Sequence, residues 1–252
     1  MVMDTPLLQA DPLLPSMPRG FRAVIIGATG GIGGALHAAL AANPHCREAI
    51  GLARNPRADM RPIDLDDDAS IETAAREIGA GGTVDLVINA TGMLHDESRG
   101  ISPEKSWKHL DAATMMASYR ANCIGPALVG RHFLPLLPRQ GKAVMALLSA
   151  RVGSISDNRS GGWHGYRAAK AALNMMIVNF AHEMRFRNTD AVILGLHPGT
   201  VETRLSAPFS NMARHHLFAP EKAAQHLLAV IDAAAADHSG HCIDWQGAVI
   251  PA

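Results

Sequence analysis

Tyr166 and Lys170 lie four residues apart in GGWHGYRAAKAALNMM, a segment with the pattern of a helix. This spacing places a phenol and an ammonium group side by side on one helical face. A free phenol has a pKa of about 10, which is too high for proton transfer near neutral pH. A neighbouring cation favours the phenolate and lowers that pKa toward the working range. The pair predicts an acid/base centre, although the same spacing also occurs by chance on many helix surfaces.

A glycine-rich loop far upstream gives the pair a context. In VIIGATGGIGGAL, Gly27, Gly31 and Gly33 stand between a predicted strand and a predicted helix. One glycine must turn tightly, one must let the backbone approach a pyrophosphate, and one must let the helix pack on the strand. The anion would bind the free amides at the helix N-terminus. Because the loop lies in the first βαβ unit, nucleotide binding is favoured over an ordinary tight turn.

Short β-rich runs alternate with longer helical patterns from Phe21 onward. The predicted strands are FRAVIIG, REAIGLA, MRPIDL, TVDLVINATG, KAVMALLSA, DAVILGLHPG and HCIDW. The predicted helices are GGALHAALAANP, DDDASIETAAREIGAGG and residues 102–111, 113–137, 163–187 and 221–235. This alternation predicts a single α/β domain, with a parallel sheet of about seven strands covered by helices on both faces.

The composition fits one domain with a full core, because 48% of the 252 residues are hydrophobic. The formal net charge is zero, so neither nucleic acid nor an anionic membrane surface is expected as a partner. No apolar run approaches the roughly 20 residues of a membrane-spanning helix. Three widely spaced cysteines without a CxxC pair predict reduced thiols in a cytoplasmic protein. The scattered histidines predict no metal site.

The first 20 residues, MVMDTPLLQADPLLPSMPRG, contain four prolines and no continuous apolar stretch. They lack the basic start and the apolar region of a secretory signal. We expect residues 1–20 to be a mostly flexible leader and residues 21–252 to form the domain. The leucines of this segment also permit an alternative, an arm that packs on a neighbouring subunit.

The loop spacing G-x-x-x-G-x-G resembles that of the short-chain dehydrogenase/reductases, and further motifs of that family follow in order. The run from Asn89 to Gly92 stands where the family has N-N-A-G, and Asn122 in YRANCIGP matches its helix asparagine. HPGTVET at 197–203 matches the loop that wraps the nicotinamide carboxamide. Within the family, SARVGSISDNRSGGWHGYRAAKAALNM resembles the bacterial C-factor and insect sniffer-type carbonyl reductases. The resemblance covers nearly everything from Arg22 to the C-terminus and implies a Rossmann-type, doubly wound parallel sheet.

The resemblance also implies roles for the matched residues. Tyr166 would give or take the substrate proton, Lys170 would lower its pKa and bind the nicotinamide ribose, and Asn122 would hold a water and the lysine. Taken singly, Asn89 could cap strand-end amides, Asn122 could satisfy buried backbone, and Thr203 could be a helix N-cap. The residues expected to bind the cofactor are Gly27, Thr29, Gly30, Gly31, Ile32, Gly33, Arg54, Asp64, Asn89, Ala90, Gly92, Tyr166, Lys170, Pro198, Gly199, Val201 and Thr203.

The end of the second predicted strand bears on the choice of cofactor. In NAD-binding sheets a carboxylate about 20 residues past the glycine motif binds the ribose 2′-hydroxyl. Here that place holds Ala53 and Arg54, with no carboxylate. An arginine suits a 2′-phosphate through charge-assisted hydrogen bonds, so NADP(H) is favoured over NAD(H), unless Arg54 is only a solvated surface residue. Asp64 resembles the family residue that contacts the adenine, or it caps a helix.

One expected group departs from the family pattern. The fifth predicted strand ends in LLSARVGS, where the family has S-S-x-x-G with a catalytic second serine. Counting back from Gly153, Ser149 takes the first place and Ala150 the second. Either Ser149 reaches the substrate after a local shift, or Ser154 or another loop hydroxyl substitutes, or the site lacks this donor. Ser149 is the catalytic candidate, and a serine that merely ends a strand is the alternative.

These residues together predict an NADP(H)-dependent oxidoreductase that transfers hydride between nicotinamide and a small carbonyl, alcohol or quinone. The alternatives are a cofactor-binding signalling or regulatory protein with weak catalysis, and an NAD-dependent alcohol dehydrogenase. Substrate contacts are expected from the loop at 151–163 and from a mobile lid at 205–218, with Arg214 near an acidic group of the substrate. The family resemblance implies a homodimer or homotetramer formed through the helices at 113–137 and 163–187.

Overall fold

The computed structural model describes residues 13–207 and 217–252. Within these ranges the strands are β1 (Phe21–Ile26), β2 (Cys46–Ala53), β3 (Arg61–Pro62), β4 (Leu86–Asn89), β5 (Ala143–Leu148), β6 (Ala191–His197), β7 (Thr200–Val201), β8 (Leu217–Phe218) and β9 (Cys242–Asp244). The helices of the same ranges are α1 (Gly31–Ala41), α2 (Asp68–Gly79), α3 (Ala112–Tyr119), α4 (Gly125–Phe133), α5 (His164–Arg185) and α6 (Pro220–Ala233).

Seven of these strands form one parallel sheet in the order β3-β2-β1-β4-β5-β6-β9. The chain proceeds from β1 toward one edge and then crosses back to β4, which pairs with the other side of β1. Such a reversal opens a crevice beyond the carboxyl ends of the two central strands, which is where open α/β sheets bind ligands. The predicted fold class, a doubly wound parallel sheet of the Rossmann type, is confirmed.

The sheet is apolar on both faces because helices cover both. Ala23 and Ile25 of β1 belong to a core cluster with residues of α1 and α6. Their neighbours Val24 and Ile26 belong to a second cluster with residues of α2, α4 and α5. Side chains alternate between the faces of a strand, so a strand covered on both sides reads as a continuous hydrophobic run. This is why the central strands could be located from sequence.

Two helix predictions need correction. Residues 102–111 do not form a helix, since the structure has only a 3-10 turn at Trp107–His109, capped by the Ser106 hydroxyl. Trp107 is 69% exposed, so the segment buries too little apolar surface to offset the cost of ordering a helix. Residues 113–137 are not one regular helix either, because a π-helical segment, Arg120–Ile124, separates α3 from α4.

The final part of the predicted leader packs on the domain. Residues 1–12 lie outside the described residues, but Leu14 and Met17 are buried in the core cluster that includes α1 and α6. The Ser16 amide donates to the Asp232 carboxylate at 2.8 Å, and the Asn43 side chain donates to the Leu13 carbonyl at 2.6 Å. Residues 13–20 are therefore part of the folded body and not of a free leader. The prolines of this segment do not prevent its apolar side chains from packing into the core.

No helix in the described ranges combines the length and the apolar character needed to cross a membrane.

Candidate active site

A cavity of about 730 Å³ lies at the carboxyl ends of the sheet strands. Its wall comes from the loop before α1, the segments after β4 and β5, the first turns of α5 and the loop after β6. The predicted site residues that line it are Gly30, Gly31, Ile32, Ala90, Gly92, Ser149, Tyr166, Lys170, Pro198, Gly199, Val201 and Thr203. The topology thus brings motifs from the whole length of the chain into one concave site.

The glycine loop is shaped by close backbone approaches. Gly27 has φ +86°, which favours glycine, and a Cβ on Gly33 would lie 2.2 Å from the Gly27 carbonyl oxygen. A Cβ on Gly31 would lie 2.7 Å from the Thr203 side chain. Gly30 caps α1 without a side-chain hydrogen bond, so amides of the first helical turn keep free N–H groups. This cradle, with Thr29 and Ile32 beside the glycines, fits a pyrophosphate.

The end of β4 is organised by Asn89. Its Oδ1 accepts hydrogen bonds from the Thr91 amide at 3.1 Å and the Thr91 hydroxyl at 2.7 Å. The Ala90 amide donates to the Ile26 carbonyl at 2.8 Å, which holds the start of the loop against β1. Asn89 therefore shapes the cavity wall from behind, and Ala90 and Gly92 present their backbone to the cavity. This is the capping role that remained as an alternative for Asn89.

Asn122 lies in the π-helical segment and is fully buried. Its Nδ2 donates to the carbonyls of Met93 and Ser118, and its Oδ1 accepts from the Met93 amide at 2.9 Å. These contacts fix the loop after β4 to the helix behind it. Single π-helical turns are frequent at functional sites, because they redirect a side chain out of the regular helical pattern. The predicted contact with a water that also holds Lys170 stays a prediction.

Tyr166 and Lys170 project from the first turns of α5 into the cavity. The Lys170 Nζ lies 5.7 Å from the centre of the Tyr166 ring and donates to the Leu148 carbonyl at 2.8 Å. Burial raises the pKa of Tyr166 to about 12 and lowers the pKa of Lys170 to about 8. The sequence predicted a lowered tyrosine pKa. In the structure the pKa is raised instead, and the cause is desolvation by burial.

Ser149 lines the cavity, and its side chain and backbone are both hydrogen-bonded to the protein. Its hydroxyl donates to the Asn174 Oδ1 at 2.6 Å, and its amide donates to the Leu196 carbonyl at 2.8 Å. Ser154 is also buried, and its hydroxyl accepts from the Asp157 amide. The Ser149 hydroxyl thus donates to Asn174, whereas the Ser154 hydroxyl accepts a bond and keeps its own hydrogen as a donor. The role of Ser149 as the catalytic serine stays a prediction.

Sequence reasoning missed Asn174, the partner of Ser149. Asn174 follows Lys170 by four residues, as Lys170 follows Tyr166, so the three side chains share one face of α5. This spacing in the sequence indicates that Asn174 lies on the same helix face as the Tyr166 and Lys170 pair.

His197, which also lines the cavity, was missed as well. Burial, with Arg151 nearby, lowers its pKa to about 4. Its Nδ1 is buried without a hydrogen-bond partner in the described part of the chain. The imidazole of His197 is therefore neutral at pH 7 where it lines the cavity.

Arg54 directly follows β2, and two carboxylates lie close to its side chain. Its guanidinium pairs with Asp64 and Asp66, each at 3.4 Å, and Asp66 also pairs with Arg120 at 3.2 Å. The sequence prediction counted no carboxylate here. β3 ends beside β2 in the parallel sheet, and its following residues therefore carry two carboxylates to Arg54. Since the Arg54 side chain is 66% exposed, these pairs hold it weakly.

The loop after β6 contributes residues 198–201 and Thr203 to the cavity wall. Gly199 has φ +74°, and Val201 pairs with Phe218 in the short β7–β8 sheet. The Thr203 carbonyl accepts from the amides of Ser206 and Ala207, so Thr203 opens a turn.

The predicted substrate-facing loops reach the cavity only in part. Arg151, Val152 and Trp163 line it from one loop, and Leu205 and Ser206 line it from the other. Arg214 and most of the predicted lid, residues 208–216, lie outside the described residues.

Comparisons with known proteins agree with this geometry. Residues 22–214 match the family model described as short chain dehydrogenase. The chain is 32% identical over 180 residues to 1-hydroxy-2-glutathionyl-2-methyl-3-butene dehydrogenase of Rhodococcus sp. (strain AD45), covering 71% of this chain and 73% of that protein. It is also 32% identical over 173 residues to C-signal of Myxococcus xanthus, covering 68% of this chain and 93% of that protein.

A solved structure shows the same fold. The NADPH-bound carbonyl reductase from chicken fatty liver superposes with a TM-score of 0.78 and 22% identity, covering 96% of this chain and all of that one. The chain therefore belongs to the short-chain dehydrogenase family of oxidoreductases. Its resemblance to the C-factor and sniffer-type carbonyl reductases is confirmed.

Replacing Lys170 by methionine is expected to stabilise the fold. Below about pH 8 the folded protein holds a buried ammonium that the unfolded chain would solvate, and each pKa unit of depression costs about 1.4 kcal/mol. We expect Lys170→Met to raise the free energy of unfolding by about 2 kcal/mol at pH 7, after the loss of one hydrogen bond. This difference should shrink as the pH rises from 8 to 10.5, because the wild-type ammonium then loses its proton.

Urea denaturation at pH 7 and pH 10 measures both effects. The exposed Lys222, changed to methionine, is the matched control and should show no such pH dependence. A Lys170→Met protein that is no more stable than the wild type at pH 7 would contradict the desolvation argument.

Proposed function

We propose that the protein is an NADP(H)-dependent reductase of small aldehydes, ketones or quinones. The observation that carries this proposal is the convergence in one cavity of the partly buried Tyr166 phenol, the buried Lys170 ammonium and the uncapped first turn of α1. The apolar walls supplied by Met93, Leu94 and Val152 suit a substrate with an apolar body. The NADPH-bound state of the chicken carbonyl reductase of the same fold supports the choice of cofactor.

Tyr166 would donate its proton to the carbonyl oxygen in the reductive direction. Burial raises its pKa to about 12, so the phenol is protonated at neutral pH, and the Lys170 ammonium must offset this rise when the proton is transferred. The bound dinucleotide supplies the hydride. Lys170 is mostly charged below its pKa of about 8, so its ammonium stabilises the phenolate that remains after proton transfer. The hydrogen bond to the Leu148 carbonyl holds that ammonium beside the ring.

The groups that would hold the dinucleotide follow from the geometry. The free amides of the first turn of α1 bind the pyrophosphate, and the backbone of Gly92 and the loop from Pro198 to Thr203 border the nicotinamide end. Arg54 serves the 2′-phosphate by exchanging its weak pairs with Asp64 and Asp66 for charge-assisted bonds to the phosphate. Asp64 contacts the adenine side in this arrangement.

A second candidate function is cofactor binding with weak catalysis, as a signalling or regulatory protein. It is supported by Ala150, which offers no hydroxyl where the family has its catalytic serine, and by the Ser149 hydroxyl, which is bonded to Asn174. The 32% identity to C-signal of Myxococcus xanthus supports this candidate. Losing one such donor slows turnover on the order of 10²–10³-fold and leaves the mechanism intact, so the two candidates differ in rate and not in chemistry.

We further propose a homodimer or homotetramer that contacts no nucleic acid or membrane. Exposed apolar side chains on the helices predicted to associate support an oligomer, since Met116 of α3 is 72% exposed and Met175 of α5 is 59% exposed. The cysteines Cys46, Cys123 and Cys242 are free thiols, which supports a cytoplasmic location.

Replacing Tyr166 by phenylalanine tests the reductase mechanism. The variant keeps the ring but loses the proton donor, so kcat should fall by about 10³-fold or more while NADPH binding stays within about threefold. Loss of NADPH absorbance with a panel of aldehydes, ketones and quinones measures turnover. Tyr119→Phe, at the end of α3, is the matched control and should retain activity. Turnover that survives in Tyr166→Phe would refute this mechanism.

Replacing Arg54 by alanine tests the cofactor preference. Loss of a charge-assisted contact to the 2′-phosphate should weaken NADP(H) binding by about 10- to 100-fold. NAD(H) binding should change by less than about twofold. Titration of both cofactors by fluorescence gives the two dissociation constants, and the exposed Arg57, changed to alanine, is the control. Equal weakening for both cofactors would count against the assigned role.

Introducing a serine at Ala150 distinguishes the two candidate functions. If the site lacks a carbonyl donor, Ala150→Ser should raise kcat by about tenfold or more, whereas Ser149→Ala should lower it by less than about tenfold. Steady-state kinetics with the best carbonyl of the panel measures both changes. A wild-type protein that binds NADPH tightly but turns over only after Ala150→Ser would favour the regulatory candidate. A hundredfold loss in Ser149→Ala would show instead that Ser149 is the donor.

A further inference from the structure

Glu104 is a buried carboxylate in the segment between β4 and α3, where it is 5% exposed. None of the motifs considered above includes it. It lies against the N-terminus of α5, which begins in an unusual way. Trp163, the residue before the helix, has φ +52° and provides no side-chain cap. A helix start whose amides lack a local cap requires another acceptor when it is buried.

Glu104 supplies that acceptor from 61 residues away in sequence. The Gly165 amide donates to both carboxylate oxygens, at 3.1 and 3.3 Å, and the Trp163 amide donates to the Glu104 carbonyl at 2.6 Å. A Cβ on Gly165 would lie 2.9 Å from the carboxylate, so the glycine makes room for this contact. A negative charge at a helix N-terminus is further stabilised by the helix dipole.

The amides of Trp163 and Gly165, which both donate to Glu104, lie close to Tyr166 in the chain; the part of the cavity beside Tyr166 is called its reacting end here. Gly165 directly precedes Tyr166, and Trp163 lines the cavity with its ring edge-on to that of Tyr166, 6.4 Å between centres. The first turn of a helix frays easily unless its amides are capped. A displacement of about 1 Å at a reacting group can cost about 10² in rate.

We propose that Glu104 is a positioning residue for proton transfer, which caps α5 from a distance and thereby fixes Tyr166 and Trp163 at the reacting end of the cavity. It acts through the helix backbone and touches neither substrate nor cofactor. This inference rests on the proposed reductase function, because the effect on rate requires Tyr166 to be the proton donor.

Two substitutions of Glu104 distinguish the effect of its side-chain length from the effect of its charge. Glu104→Gln keeps the length of the side chain and an oxygen acceptor but removes the charge, whereas Glu104→Asp keeps the charge and shortens the reach by one methylene. Glu97 is an exposed carboxylate in the same segment, and Glu97→Gln and Glu97→Asp are the matched controls. The measurements are the melting temperature, the dissociation constant for NADPH, and kcat and KM with the best carbonyl substrate.

We expect Glu104→Asp to lower kcat by about tenfold or more, with KM and NADPH binding within about threefold of the wild type. Glu104→Gln should keep kcat within about threefold, and the Glu97 variants should behave as the wild type. A Glu104→Asp protein with wild-type kcat would overturn the proposal. So would the reverse order, in which Gln is the weaker variant, because it would show that charge and not reach is what matters.

Amide hydrogen exchange of residues 163–167 is a second readout that does not depend on turnover. Exchange should be faster in Glu104→Asp than in Glu104→Gln, since only the shorter side chain loses contact with the Gly165 amide. Equal exchange in the two variants would overturn the capping contact. Absence of turnover in the unsubstituted protein would overturn the proposed function alone, and the exchange comparison would still decide whether Glu104 caps the helix.

Discussion

Desolvation of the Lys170 ammonium is the constraint on which the arrangement of the candidate site depends. The ammonium is buried and is held by a single protein acceptor among the described residues, the Leu148 carbonyl at 2.8 Å. That contact ties α5 to the end of β5. Burial lowers the pKa of Lys170 to about 8 and raises the pKa of Tyr166 to about 12. The buried ammonium therefore lowers the stability of the folded protein at neutral pH.

The helix that carries this pair is held from several directions. Asn174, one turn beyond Lys170, accepts a hydrogen bond from Ser149 at the end of β5. Glu104 accepts from the amides at the helix start. Ser149, which resembles a catalytic serine in sequence, thus makes a hydrogen bond to Asn174. Glu104, which belongs to no motif, accepts from the amide of Gly165, the residue before Tyr166. Rigid support of this kind keeps a proton donor in place without the donor itself making many contacts.

Much of the fold could be predicted from the sequence because its signals are local. Strands buried on both faces read as apolar runs, and the glycine loop is recognisable because only glycine tolerates a φ of +86° at Gly27 and the close approach at Gly33. The failures have a common cause. The helix expected at 102–111 found no partner for its apolar residues, and residues 13–20 found one that their proline content concealed. Whether a segment is buried is a property of its neighbours and not of its own composition.

By itself, the sequence determined the residues that stand on one element: the spacing of Tyr166, Lys170 and Asn174 along α5 and the glycines before α1. Helical periodicity and steric limits on the backbone act between near neighbours in the chain, so their consequences can be read directly. Pairings between elements depend instead on how the elements pack in three dimensions; they are Ser149 with Asn174, Arg54 with Asp64 and Asp66, and Glu104 with Gly165. The direction of the tyrosine pKa shift depends on the same packing, because desolvation depends on how many elements close around a group.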